Sequence, residues 1–131
     1  MKVAVIGSRG FTDYVVVKDY LDRLHAMKPI SLIVSGGAGG ADSLGERWSD
    51  ENTIHKNILP AKWDDLSHPD ARIKTNTWGK QYDANAGHRR NKDIVNAADV
   101  ILAFWDGKSP GTKNGIQYAQ SIKKSIKIIG V

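Results

Sequence analysis

Two glycine-rich turns carry the residues of this chain best suited to chemistry. Ser35-Gly36-Gly37-Ala38-Gly39-Gly40-Ala41-Asp42 follows the apolar run Ser31–Val34, and Asp106-Gly107-Lys108-Ser109-Pro110-Gly111-Thr112 follows Val100–Trp105. Glycine admits a close approach of backbone to ligand, and a helix start offers unpaired N–H donors to an anion. A third turn, Gly7-Ser8-Arg9-Gly10-Phe11, adds a hydroxyl, a guanidinium able to clamp a phosphate and an aromatic face able to stack on a base. Together these turns point to a phosphate-bearing small molecule, a nucleotide first among them. The plain alternatives are that Phe11 packs beneath its own loop, that Arg9 is solvated and that the turns only connect strands to helices.

In the nucleotide reading, backbone amides of 36–41 and 107–112 cradle phosphate while Arg9 and Arg90 neutralise it. Ser8, Ser35, Ser109 and Thr112 donate hydroxyls, and Phe11 or Trp105 flanks the base. Arg89-Arg90-Asn91 opens a helix-like segment, where cations oppose the helix dipole, so the pair suggests an anion nearby. Asp42, Asp106 and Asp64-Asp65 are the acids available for proton transfer, although Asp42 can equally cap its own helix. The four histidines lack ligand spacing and the chain has no Cys, so neither metal, disulfide nor thiol chemistry is expected, and no cofactor. The turn at 35–42 is not the dinucleotide fingerprint, because Asp42 stands where its last glycine belongs, and no P-loop signature occurs.

Alternating strand and helix patterns must position these turns. Lys2–Ile6 reads as a strand; Val17, Tyr20 or Leu21, Leu24 and Met27 recur at helical spacing after a possible N-cap at Asp13. Ile30–Val34 is a second strand, and Ala41, Leu44 and Trp48 mark the inner face of a second helix. Thr53–Leu59 is a weaker strand. Residues 61–85 are polar and irregular, a loop insertion long enough to cover a site. Ala86–Ala98 is helical, with Asn91, Ile94, Val95 and Ala98 on one face. Val100–Trp105 is continuously apolar, as a parallel strand buried on both faces should be. Thr112–Lys124 is helical with Thr112, Ile116, Ala119 and Ile122 inward, and Ser125–Val131 closes as a strand. The alternation predicts one α/β domain over 1–131, three layers with a mainly parallel sheet of about five strands. Its three turns then share the carboxyl edge of the sheet, where such folds bind ligands.

Bulk composition agrees with a folded domain: 131 residues, 40% hydrophobic, four Trp. No apolar run approaches the ~20 residues of a membrane span, so no membrane partner and a cytoplasmic location are expected. A net charge of +5 permits an anionic ligand or nucleic acid without requiring either.

Six ordered blocks resemble the SLOG superfamily, which groups the LOG phosphoribohydrolases with the DprA/Smf DNA-processing proteins, and within it the small YspA-like branch. They are Gly7-Ser8-Arg9-x-Phe11, Ser35-Gly36-Gly37-Ala38-x-Gly40-Ala41-Asp42, Pro60-Ala61-x-Trp63, Gly79-Lys80, Ala86-Gly87-x-x-Arg90-Asn91 and Ala103-Phe104-Trp105-Asp106-Gly107-x-Ser109-x-Gly111-Thr112. The resemblance implies a Rossmann-like fold binding nucleotides or nucleotide-derived ligands, as sensor or processing domain, and a homodimer or higher homo-oligomer. It also implies two alternatives. A LOG-like enzyme releases free base from a nucleoside monophosphate; Arg90 aligns with its arginine, but Asn91 replaces the lysine and Gly115 the glutamate. Arg90 with Asp42, Asp106 or an acid from the long loop would then have to carry catalysis. A DprA-like module binds single-stranded nucleic acid, with Trp63 and Trp78 as stacking candidates.

Overall fold

Residues whose side chains are apolar on both sides of the strand form the middle of the sheet. The computed structural model describes residues 1–131. In chain order the elements are β1 (Lys2–Gly7), α1 (Tyr14–Met27), β2 (Leu32–Ser35), α2 (Ala41–Glu51), β3 (His55–Ile58), β4 (Ile73–Thr75), β5 (Gln81–Asp83), α3 (Ala86–Ala97), β6 (Val100–Trp105), α4 (Pro110–Ser121) and β7 (Ser125–Gly130). Five strands make one sheet in the order β3-β2-β1-β6-β7, every pair parallel. The register sets Val3 against Val100 and Ile6 against Ala103.

Period-two alternation on β1 and β6 sorts the core into two layers. Val3, Val5, Leu102 and Phe104 face α1 and α2, meeting Val17, Leu21 and Trp48. Ala4, Ile6, Ile101 and Ala103 face α3 and α4, meeting Ile94, Val95, Ile116 and Ala119. The expected α/β architecture, with helices on both faces of a parallel sheet of five strands, is what the molecule has. Winding runs outward from β1 to β3, then restarts beside β1 at β6. The switch in strand order therefore falls between β1 and β6, at whose carboxyl ends the turns 7–11 and 105–112 lie side by side.

The elements depart from the sequence expectations at 61–85, Met27, Ile122 and Asp13. Residues 61–85 are not wholly irregular: β4 and β5 pair as an antiparallel hairpin, Lys74 opposite Tyr82. Met27 is 84% exposed, since α1 meets the core through Val17 and Leu21, and Ile122 lies beyond the end of α4 at 42% exposed. Asp13 occupies the N-cap position of α1 without a side-chain capping bond.

Candidate functional site

The turn between β2 and α2 is folded by its own side chains. Ser35 Oγ donates to Glu46 Oε2 at 2.7 Å and accepts from the Gly37 amide at 3.2 Å. Gly40 has φ +68°, and a Cβ there would lie 2.2 Å from the Ser8 carbonyl oxygen, so no other residue lets this turn rest against the first one. The sequence offered Asp42 as a helix cap; Gly40 occupies that position instead. The Asp42 carboxylate reaches back and accepts from the Ala38 amide at 3.2 Å. It is only 7% exposed, and this burial pushes its pKa up to about 6, against the pull of the Ala38 amide and of Arg90.

Arg90 enters from the first turns of α3. Its Nη1 donates to the Gly36 carbonyl at 2.7 Å and its Nε to Asn91 Oδ1 at 3.2 Å. A Cβ on Gly36 would sit 2.6 Å from Nη1 and 2.9 Å from Asp42 Oδ2, so guanidinium and carboxylate converge on that glycine. Burial lowers the Arg90 pKa, and Asp42 opposes that shift. Arg89, its neighbour, is occupied elsewhere: it forms ion pairs with Asp70 and with the fully buried Asp83. Only one of the two adjacent arginines is therefore left to face an anion.

The third turn is built on Asp106. Its Oδ1 accepts from the amides of Lys108 and Ser109, both at 2.8 Å, and its Oδ2 from Ser109 Oγ at 3.1 Å. These amides hold the Asp106 pKa below the usual carboxylate range. Ser8 Oγ accepts from the Asp106 amide at 3.2 Å and lies 3.1 Å from Ser109 Oγ, tying this turn to that of β1. Behind the turn α4 starts with Pro110, and the amides of Gly111 and Thr112 find no acceptor in the protein. Asn91 Nδ2 donates to the Gly111 carbonyl at 3.1 Å and fixes α3 against this helix start.

These pieces surround a pocket of about 470 Å³, within the ~300–1,000 Å³ range of small-molecule sites. Of the residues singled out in the sequence, Gly7, Arg9, Ala38, Asp42, Arg90, Asn91, Ser109, Gly111 and Thr112 line it. Ser8, Ser35, Gly36, Gly37, Gly40, Ala41, Asp106 and Gly107 are absent from its lining and belong to the turns behind it. Phe11 and Trp105 are not brought to it either. The Phe11 ring stacks on Phe104 with centroids 5.7 Å apart, and the Trp105 indole N–H donates to the Ser109 carbonyl at 3.1 Å. The sequence reading did not count Gly87 as a lining residue, placed His88 as the one histidine near the site without giving it a role, and considered Trp63 only for stacking on nucleic acid; all three line the pocket. Gly115 faces Ile6, with room for a Cβ only 3.1 Å from Ile6 Cδ1. No helix is long and apolar enough to cross a membrane.

A family model described as "YspA, cpYpsA-related SLOG family" matches residues 1–65. The "Gene 61 protein" of Mycobacterium phage D29 is 34% identical over 136 residues, covering 98% of this chain and 94% of that protein. Among solved structures, DNA processing protein A (DprA) from Streptococcus pneumoniae superposes with TM-score 0.74 at 20% identity, over 99% of this chain. This chain spans half of that protein's length. DNA processing protein A from Helicobacter pylori, described for its single-stranded DNA binding mode, gives 0.67 at 23% identity, covering 98% of this chain and 64% of that one. TM1055 gives 0.63 at 23% identity, over 95% of this chain and 71% of its own. At these identities the structural likeness concerns the fold.

Proposed function

The chain belongs to the YspA, cpYpsA-related SLOG family, and from that premise we propose that its pocket binds a nucleotide or nucleotide-derived small molecule. The observation that carries this reading is the pairing of Arg90 with the start of α4. A half-buried guanidinium, offset in part by Asp42, and the helix start where the Gly111 and Thr112 amides are unpaired line one pocket, and nothing in the protein accepts from those amides. A phosphate satisfies both, with charge-assisted bonds from Arg90 and Arg9 and fixed dipoles from the helix start. Glycine turns at the switch point let the ligand's backbone contacts form at close range.

Thermal shift and calorimetry against nucleoside mono-, di- and triphosphates test this. Stabilisation that rises with ligand concentration and is lost in Arg90→Gln supports the site. No shift from any nucleotide rejects it. Affinity that instead grows with oligonucleotide length and falls steeply with salt moves the function to single-stranded nucleic acid.

One observation favours a second reading, cleavage of the N-glycosidic bond. Asp42 lines the same pocket, and its pKa of about 6 suits general acid–base work near neutrality. Asp106 suits it less, being spent on its own turn. Incubation of the stabilising nucleotide with the protein separates the two: release of free base, absent in Asp42→Asn, makes it an enzyme, and intact nucleotide leaves it a binding domain.

A further inference from the structure

With Phe11 and Trp105 packed away, one indole still lines the pocket. Trp63 stands on α3, where a Cβ on Gly87 would come 2.8 Å from its Cη2 and 3.4 Å from its Cζ2. Gly87 is therefore the seat of the ring, and any side chain at that position would displace it. Tyr82 meets it edge to face, with centroids 6.5 Å apart and planes at 69°. The Trp63 carbonyl accepts from the Asp83 amide at 2.8 Å, and the Asp83 carboxylate accepts from the Arg72 and Asn85 amides at 2.9 Å each while paired with Arg89. Contacts on its seat, edge and backbone thus fix the indole before any ligand arrives. It nevertheless remains 37% exposed, an apolar surface offered to a pocket whose charged lining consists of Arg9, Asp42 and Arg90.

We infer that Trp63 is the stacking wall for the ligand's base, so that the pocket takes a nucleotide by two ends: phosphate at Arg90 and the start of α4, aromatic ring on Trp63. This rests on the nucleotide reading above and adds to it that the base, and not the sugar phosphate alone, is recognised. The loop insertion then serves as a preformed wall, held by ion pairs, that sets which ligands enter. Every nucleobase has a π-face, so stacking selects for an intact base and leaves the choice among bases to polar groups.

The test is calorimetry of the four ribonucleoside monophosphates and of ribose 5-phosphate with wild type, Trp63→Leu, Trp63→Phe and Gly87→Ala. Wild type should bind a mononucleotide at least tenfold more tightly than ribose 5-phosphate. Trp63→Leu should lower mononucleotide affinity roughly tenfold and leave ribose 5-phosphate unchanged, while Trp63→Phe retains most of it. Gly87→Ala keeps the indole but shifts it, and should weaken the mononucleotide alone. Unchanged ribose 5-phosphate binding also shows that a variant has kept its phosphate site folded. Equal losses for both ligands would make Trp63 a structural support only. No loss in any variant, or ribose 5-phosphate binding as tight as the nucleotides in wild type, would overturn the inference and leave a phosphate site standing. Binding of neither ligand to wild type would fell the nucleotide reading itself.

Discussion

Asp42 ionises where little water reaches it, and this sets a measurable signature in the free protein. Its pKa of about 6 lies above the ordinary aspartate value of 3.8, so between those values the folded protein holds a proton that the unfolded chain has released. Stability must then rise as pH falls through this window, relative to a protein lacking the group. The Asp42→Asn variant can still accept the Ala38 amide, and it removes the titration. The wild type should gain on the variant by roughly 2 kcal/mol between about pH 7.5 and about pH 4.5, measured as paired urea midpoints. A constant difference would show that Asp42 ionises as an exposed acid. The residue types at this site were legible in the sequence, because glycines, a carboxylate and an arginine in such turns have few other uses. Their division of labour was not. Asp42 works on Ala38 rather than on its helix end, and Arg89 points to the loop while Arg90 points to Gly36, because tertiary partners chose between them.

The insertion between β3 and α3 is an element with its own fastening. Arg89 bridges Asp70 and Asp83, Lys80 Nζ lies 3.0 Å from Asp64 and Asn76 Oδ1 accepts from the Trp78 and Lys80 amides across the hairpin tip. Removing the guanidinium in Arg89→Ala leaves Asp83 buried without its countercharge, so opening of 61–85 becomes easier while the five-stranded sheet keeps its own contacts. Amide exchange should accelerate through 61–85, by tenfold for each ~1.4 kcal/mol of opening energy lost, and stay near wild type in β1 and β6. Uniform acceleration would mean that the insertion and the sheet open as one unit. Acid provides a second handle on wild type. Arg89 first, then the backbone amides, hold Asp83 down to a pKa of about 2. A carboxylate with a lowered folded pKa contributes its stability above the ordinary value and loses it as pH falls towards 2, so the insertion should loosen in that range. The hairpin escaped the sequence reading because its strands are three residues long and mostly polar, too short to show period two. The four helices and the central strands β1, β2 and β6 were legible because burial forces apolar patterns on them, while the edge strand β3, exposed along its whole length, gave only a weak signal.

At the scale of the whole molecule, the two core layers share the strands β1 and β6, and the pocket opens where those strands end. Ligand bound there touches turns that follow β1, β2 and β6 and the first turns of α2, α3 and α4. Such a ligand can bind only the folded protein, since the unfolded chain scatters its contacts among residues as distant as Gly7 and Thr112. Mass action then stabilises the fold by about 2.7 kcal/mol at a ligand concentration near 100 Kd. For a domain of 131 residues, that corresponds to a rise in Tm on the order of 10 °C. The rise should be shared by the unfolding of the sheet and of the insertion if Trp63 contacts the bound base, because the ligand then spans both. A nucleotide that raises the Tm of the sheet while amide exchange in 61–85 stays unchanged would place its base elsewhere. Scanning calorimetry with exchange measured on the same samples, with and without the tightest mononucleotide, distinguishes these outcomes. A joint shift also explains why a loop of some twenty-five residues is fastened with ion pairs, one of them to the buried Asp83: a wall that must meet a ligand in one position binds more tightly when it is ordered beforehand.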